Sequence, residues 1–306
     1  VTKAMDAVTA FVATRGALAV VPPETFVVGG ESKRGWTTWT TGLVEPRCAA
    51  IVPVVMDFVS VAALTAHHYR SLGGWTFEFA DYVAAGVCDA NVTAGPAYAK
   101  LMTVVDPKAY FAPAAAGGVW ADTAAMANFR RIPKLVVNGG NDEFMLPDDN
   151  HAWWPELPGE KHLLHIANAD HPLHWWPPGS GTGRAAFNAA LAAFYSAVVA
   201  ARPRPAFTWV IEHAPAEAAG GGGGGAVVTA GNFTATPANA TMWAAVTADG
   251  FRDWRLFNCR TALPGHNCTL FEAEPSARPQ PGAPGPHPVR YTATALTAAA
   301  GSYVAR

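Results

Sequence analysis

Three residues of this chain have the types and order that nucleophilic acyl transfer needs: Ser32, Asp142 and His171. A serine hydroxyl attacks a carbonyl only if a base takes its proton, and a histidine serves as that base when a carboxylate fixes its tautomer. Each of the three follows a short apolar run. Ser32 comes after Thr25-Phe26-Val27-Val28 and the pair Gly29-Gly30, and Asp142 lies in Asn138-Gly139-Gly140-Asn141-Asp142, directly after Lys134-Leu135-Val136-Val137. His171 follows His162-Leu163-Leu164-His165-Ile166 by a few residues. The interval between Asp142 and His171 has room for one helix and one strand, with Pro147 as the expected helix start.

The segment Gly30-x-Ser32-x-x-Gly35 is close to the sharp strand-to-helix turn Gly-x-Ser-x-Gly, with its second glycine displaced by one residue and Arg34 in the small-residue seat. The alternative is an ordinary turn in which Ser32 caps the following helix. In the catalytic reading the Lys33 amide supplies one oxyanion donor. The second comes from a loop after an earlier strand, expected upstream of Val1. Asp57, at the end of the run Ala49 to Met56, is a candidate for orienting substrate, as are Trp75 and Trp175. Trp75, Phe77, Phe79, Tyr82 and Trp120 give the 58–131 stretch an aromatic character that suits either core or pocket wall. His67 and His68 are adjacent, so on a helix they point about 100° apart and do not chelate. No metal and no cofactor is expected.

These residues need a scaffold that brings strand ends together. Continuous apolar runs at 25–28, 49–56, 134–137 and 162–166 are what parallel strands buried on both faces require. Phe187, Ala190, Leu191, Phe194 and Val198 recur at helical spacing and make a helix to cover such a sheet. An opening helix is expected from Thr2 as cap to Gly16 as stop, with Met5, Val8, Phe11 and Val12 on one face. The expected fold is an α/β-hydrolase-like, mostly parallel sheet over residues 1–203, with a cap inserted at 58–131 and further strands upstream of Val1. Residues 204–306, with six glycines at 220–225, read as a small β-sandwich-like module. Its strands are expected near 207–211, 242–246 and 289–294.

Composition excludes other classes. Half of the 306 residues are hydrophobic and 14% are charged, which argues against disorder. The formal net charge of −2 carries no basic excess for neutralising phosphates, so nucleic acid is not an expected partner. No apolar run is long enough to span a bilayer. Four Asn-x-Thr sequons, at Asn91, Asn232, Asn239 and Asn267, point to a secreted or lumenal protein. Cys259 and Cys268 flank the turn Leu263-Pro264-Gly265 at a spacing a hairpin disulfide would close, whereas Cys48 and Cys88 either pair or stay free.

The stretch Ser32-Lys33-Arg34-Gly35-Trp36-Thr37-Thr38-Trp39 resembles a signature of the PhoPQ-activated pathogenicity-related family, which includes secreted autocrine proliferation repressors. Further blocks agree with it: residues 51–57 (IVPVVMD), 67–75 (HHYRSLGGW), 105–110 (VDPKAY), 141–148 (NDEFMLPD) and 157–161 (LPGEK). The resemblance spans about residues 3 to 210 and is weaker in the tail. It implies an α/β-hydrolase-like fold with Ser32, Asp142 and His171 in the triad positions. Two departures stand out: Glu31 before Ser32, and Asp170 before His171, where the family usually has small residues. A carboxylate raises a neighbouring histidine's pKa, and one beside the serine opposes oxyanion charge. Two functions follow as expectations. One is a secreted serine hydrolase acting on an ester or amide in a small-molecule or peptide substrate. The other is a signalling or binding protein on a hydrolase scaffold, whose partner would be a receptor.

Overall fold

The structure is a computed structural model that describes residues 1–15, 21–72, 74–75, 77–112, 123–173, 182–213, 226–247, 252–254, 291–299 and 301–305. The chain divides into two compact units, Val1–Val198 with Thr247–Val289, and Val199–Val246 with Arg290–Arg306. The described residues 252–254 therefore belong with the first unit, although they lie inside the stretch expected to form the tail module. Arg252 N donates to Ser71 O and its guanidinium to Asp148, while Trp254 O accepts from Asn141.

The first unit is built on four parallel strands in the order β1-β2-β3-β4: Phe26–Glu31, Cys48–Val54, Lys134–Gly139 and Lys161–Ile166. All four expected runs are strands, with ends shifted by a few residues. Alternate residues of the two central strands serve two separate cores. Ala50, Val52, Val54, Leu135 and Val137 face Phe187 and Phe194 of helix α9 (Thr182–Val199), while Ile51 and Val136 face Trp39, Leu43 and Phe129 on the other side. This double burial is why the strands read as unbroken apolar runs rather than as alternation. A cavity of about 600 Å³ between α9 and the edge strand β1 is walled by Val27, Gly30, Val52, Phe187, Leu191 and Tyr195.

The first helix, α1, spans Thr2–Ala13, but Val1 rather than Thr2 is its N-cap and no side chain caps it. Of its expected apolar face only Met5 is buried, and Val8 and Phe11 are exposed. Helix α2 (Lys33–Val44) follows β1. Its Trp39 Nε1 donates to Met56 O at 2.8 Å and its Trp36 Nε1 to Val105 O at 2.6 Å, so both indoles of the Ser32–Trp39 stretch hold the helix in place. Between β2 and β3 the inserted segment is helical. It holds α3 (Val61–Leu72), α4 (Ala80–Ala84), α5 (Ala90–Thr93), α6 (Pro96–Val105), α7 (Lys108–Phe111) and α8 (Ala124–Arg131). Asp106 pins this insertion by accepting from Ser60 N, Val61 N and Lys108 N. Thr123 caps α8 by accepting from Met126 N.

The second unit is antiparallel. One sheet has the order β5-β6-β10-β9, from Thr208–His213, Ala226–Gly231, Ser302–Ala305 and Ala298–Ala299. A two-stranded sheet pairs β7 (Ala240–Ala244) with β8 (Thr292–Leu296). Phe233 stacks on Phe207 and meets Tyr303 edge-on. The six glycines at 220–225, Cys259, Cys268 and Asn267 lie outside the described residues.

Candidate active site

Parallel strands send all their following loops out at one end of a sheet. Here Ser32 follows β1, Asp57 follows β2, Asp142 follows β3 and His171 follows β4. Backbone strain gathers at the same end, with positive φ at Ser32 (55°), at the β-branched Val55 (45°) and at Asn168 (58°).

The turn at Ser32 is tight for a visible reason. A Cβ on Gly30 would lie 2.6 Å from Arg34 O, and one on Gly35 would lie 2.6 Å from the Cβ of Met56. Helix α2 thus meets β2 at residue 35, while Arg34 is exposed, which accounts for the displaced second glycine. Ser32 is the N-cap of α2 by position, yet its side chain makes no capping bond. Its Oγ instead lies 2.9 Å from His171 Nε2. The Lys33 amide stands in the first turn of α2, where backbone donors have no intrahelical acceptor and the helix dipole favours negative charge.

His171 Nδ1 lies 2.8 and 2.9 Å from the two oxygens of the buried Asp142 carboxylate. That carboxylate is held by Phe144 N and Met145 N, at 2.7 and 3.0 Å. The His171 backbone N–H donates to Glu143 at 2.9 Å, and the Phe144 ring packs on the imidazole at 4.7 Å. Burial alone would lower the pKa of His171, but the charge of Asp142, with Glu143 and Asp170, outweighs it and raises the pKa. Asp170 acts on the histidine in the direction expected of it. Burial and the charge of Asp142 push the Glu143 carboxyl up to about 8.

Glu31 does not face the serine as a bare charge. Its carboxylate is forked by Arg184 of α9, with Nη2 at 3.0 Å and Nη1 closer still. Asp57, expected to orient substrate, is fully buried, and its Oδ2 accepts from Asn138 Nδ2 at 2.9 Å. Burial first, then the charge of Asp142, raises its pKa well above the ordinary range. Trp75 is half-buried among Tyr69 and Phe79, and Phe79 in turn leads to Phe144 beside the histidine. Trp175 and Trp120 lie outside the described residues. Among the described residues Cys48 and Cys88 are both free. The helix expected at Pro147 is instead a short 3₁₀ turn, Asp149–Ala152, because Asp149 Oδ2 accepts from Leu146 N and tightens the chain there.

Sequence reasoning missed Arg184, Glu143 and Asn138, since nothing local marks them as neighbours of the site. It also missed the approach of His67 on α3 to Asp148 and Asp149, at 3.0 and 4.0 Å, across some 80 residues of chain.

A family model described as PhoPQ-activated pathogenicity-related protein matches residues 1–255. The autocrine proliferation repressor protein A of Dictyostelium discoideum is 33% identical over 262 residues, covering 85% of this chain and 46% of that protein. The chain therefore spans about half the length of this relative. Among solved structures, acetyl xylan esterase 1 from Thermoanaerobacterium aligns at 17% identity over 55% of this chain and 45% of that one, with a TM-score of 0.30. A monoacylglycerol lipase from Paleococcus ferrophilus aligns at 16% identity over 64% and 75%, with a TM-score of 0.29. With its strand–turn–helix at Ser32 and its parallel sheet, the first unit is α/β-hydrolase-like, and the chain belongs to the PhoPQ-activated pathogenicity-related protein family.

Proposed function

We propose that this chain carries the core of a secreted serine hydrolase that cleaves an ester or amide. One observation carries the reading: a serine at the apex of a strained turn, without a capping bond, lies 2.9 Å from a histidine that is itself held by a buried carboxylate. Ser32 Oγ attacks the carbonyl carbon while its proton passes to His171 Nε2. Asp142 keeps Nδ1 protonated and stabilises the imidazolium that forms. The Lys33 N–H, at the positive end of α2, donates to the developing oxyanion. His171 then protonates the leaving alcohol or amine, and a water activated by the same imidazole releases the acid from Ser32. Arg184 removes the objection that Glu31 raises, since the paired carboxylate presents little net charge to the oxyanion.

The sequons support passage through a secretory compartment, because Asn91, Asn232 and Asn239 are all exposed. Among the described residues no helix is long and apolar enough to cross a membrane. The Dictyostelium relative is named an autocrine proliferation repressor, which supports the other reading, a signalling protein on a hydrolase scaffold. A fluorophosphonate probe decides between them. Labelling of the full-length protein that disappears in Ser32→Ala is expected; labelling that survives the substitution, or never occurs, rejects the hydrolase.

A further inference from the structure

The geometry points to a divalent-cation site made by His67, Asp148 and Asp149, separate from the serine and its partners. His67 Nε2, Asp148 Oδ1 and an oxygen of Asp149 all lie within 4.8 Å of one another. A single ion with ordinary bonds of about 2.0–2.4 Å reaches three atoms so placed. His67 comes from helix α3 of the insertion and the two aspartates from the loop that also carries Asp142, so the ion would join two parts of the first unit.

Each ligand is already aimed by a partner on its other polar atom, as metal ligands usually are. Ser71 Oγ stands 3.5 Å from His67 Nδ1, Arg252 Nη1 donates to Asp148 Oδ2 at 2.6 Å, and Leu146 N donates to Asp149 Oδ2 at 2.9 Å. What remains, His67 Nε2 and one oxygen of each aspartate, converges on one point. The independent sign of a ligand is Asp149 Oδ1. Asp149 is fully buried, this oxygen has no hydrogen-bond partner among the described residues, and it is the oxygen that faces His67 at 4.0 Å. A buried carboxylate oxygen without a donor is costly, and a bound cation removes the cost. Asp148 is one-third exposed, which leaves a route in from solvent and room for water on the metal.

One imidazole nitrogen with two carboxylate oxygens suits a first-row divalent ion such as Zn²⁺ or Mn²⁺ better than the all-oxygen sites of Mg²⁺ and Ca²⁺. The test uses the full chain after dialysis against EDTA and then chelator-free buffer, titrated calorimetrically with ZnCl₂ and, separately, MnCl₂. One equivalent of at least one of these ions should bind and raise the melting temperature. His67→Gln and Asp149→Asn should each weaken binding by about tenfold or more and remove the thermal shift, whereas Cys88→Ser should bind as the wild type does. Co²⁺ should give visible absorption bands that His67→Gln abolishes. Absence of binding at millimolar metal overturns the site, as does stoichiometric binding that both substitutions leave unchanged. If Asp149→Asn fails to fold, His67→Gln, at a partly buried side chain 12% exposed, decides alone.

Discussion

A central strand of the first unit and an edge strand of the second both carry apolar runs and differ in what surrounds them. Val52 and Val54 of β2 are 1% and 2% exposed, whereas Val210 and Ile211 of β5 are 57% and 50% exposed. The first pair lies in a parallel sheet covered on both faces; the second lies in an antiparallel sheet whose described residues leave apolar side chains in the open. Direction of pairing decides more than burial. A parallel sheet sends every post-strand loop to the same end, and there the first unit collects Ser32, Asp142 and His171. An antiparallel sheet alternates its turns between ends, and no comparable gathering occurs among the described residues of the second unit.

The contrast can be broken most forcefully from the core. Phe129, fully buried and stacked on Phe111 at 6.1 Å, should cost about 3–5 kcal/mol when changed to Ala, read by chemical denaturation. Gly35→Ala places a Cβ against Met56 and Val54 where helix and strand touch. It should cost about 1–3 kcal/mol and lower probe labelling at Ser32, because the turn must shift. Unchanged stability would mean that α2 moves freely over β2.

Acidity gives a finer separation. His171 is a base only when neutral, so the hydrolysis rate should climb about tenfold per pH unit until its raised pKa is passed, and then level. Stability should run the other way. His171 and Glu143 both hold their protons more tightly folded than unfolded, so each contributes most below its unfolded pKa. For Glu143 that contribution declines from about pH 4.5 to about pH 8. For His171 it declines from about pH 6.5 upward. Thermal melts at pH 5 and pH 8 should show the fall, and Glu143→Gln should reduce it. The smallest effect belongs to the second unit: Ile211→Thr should change stability by no more than about 0.5 kcal/mol.

Much of this was legible because burial writes itself into sequence. The four runs that became β1 to β4 needed both faces apolar, and the reactive residues stood directly after them. The family blocks fell on the same turns. What stayed hidden involves distance along the chain rather than pattern. Nothing near Glu31 announces that Arg184 will fork its carboxylate, and nothing near Asp57 reveals Asn138. Adjacent histidines read as non-chelating because they point about 100° apart on a helix, and the carboxylates that His67 approaches come from another element. Thr2 failed as a cap for a plainer reason: the helix already includes it. The exposure of β5 was also hidden, since Trp209, Val210 and Ile211 are as apolar as a buried run and yet stand exposed.

The fork between Glu31 and Arg184 has a consequence for the protein while it is being made. The serine turn emerges from the ribosome early, but its base arrives with residue 171 and the counter-ion of its acidic neighbour with residue 184. Until residue 171 has been made, Ser32 has no histidine beside it, and until α9 has docked it sits beside an unneutralised carboxylate. For the proposed hydrolase, the order of synthesis therefore keeps Ser32 silent in the nascent chain until α9 is in place.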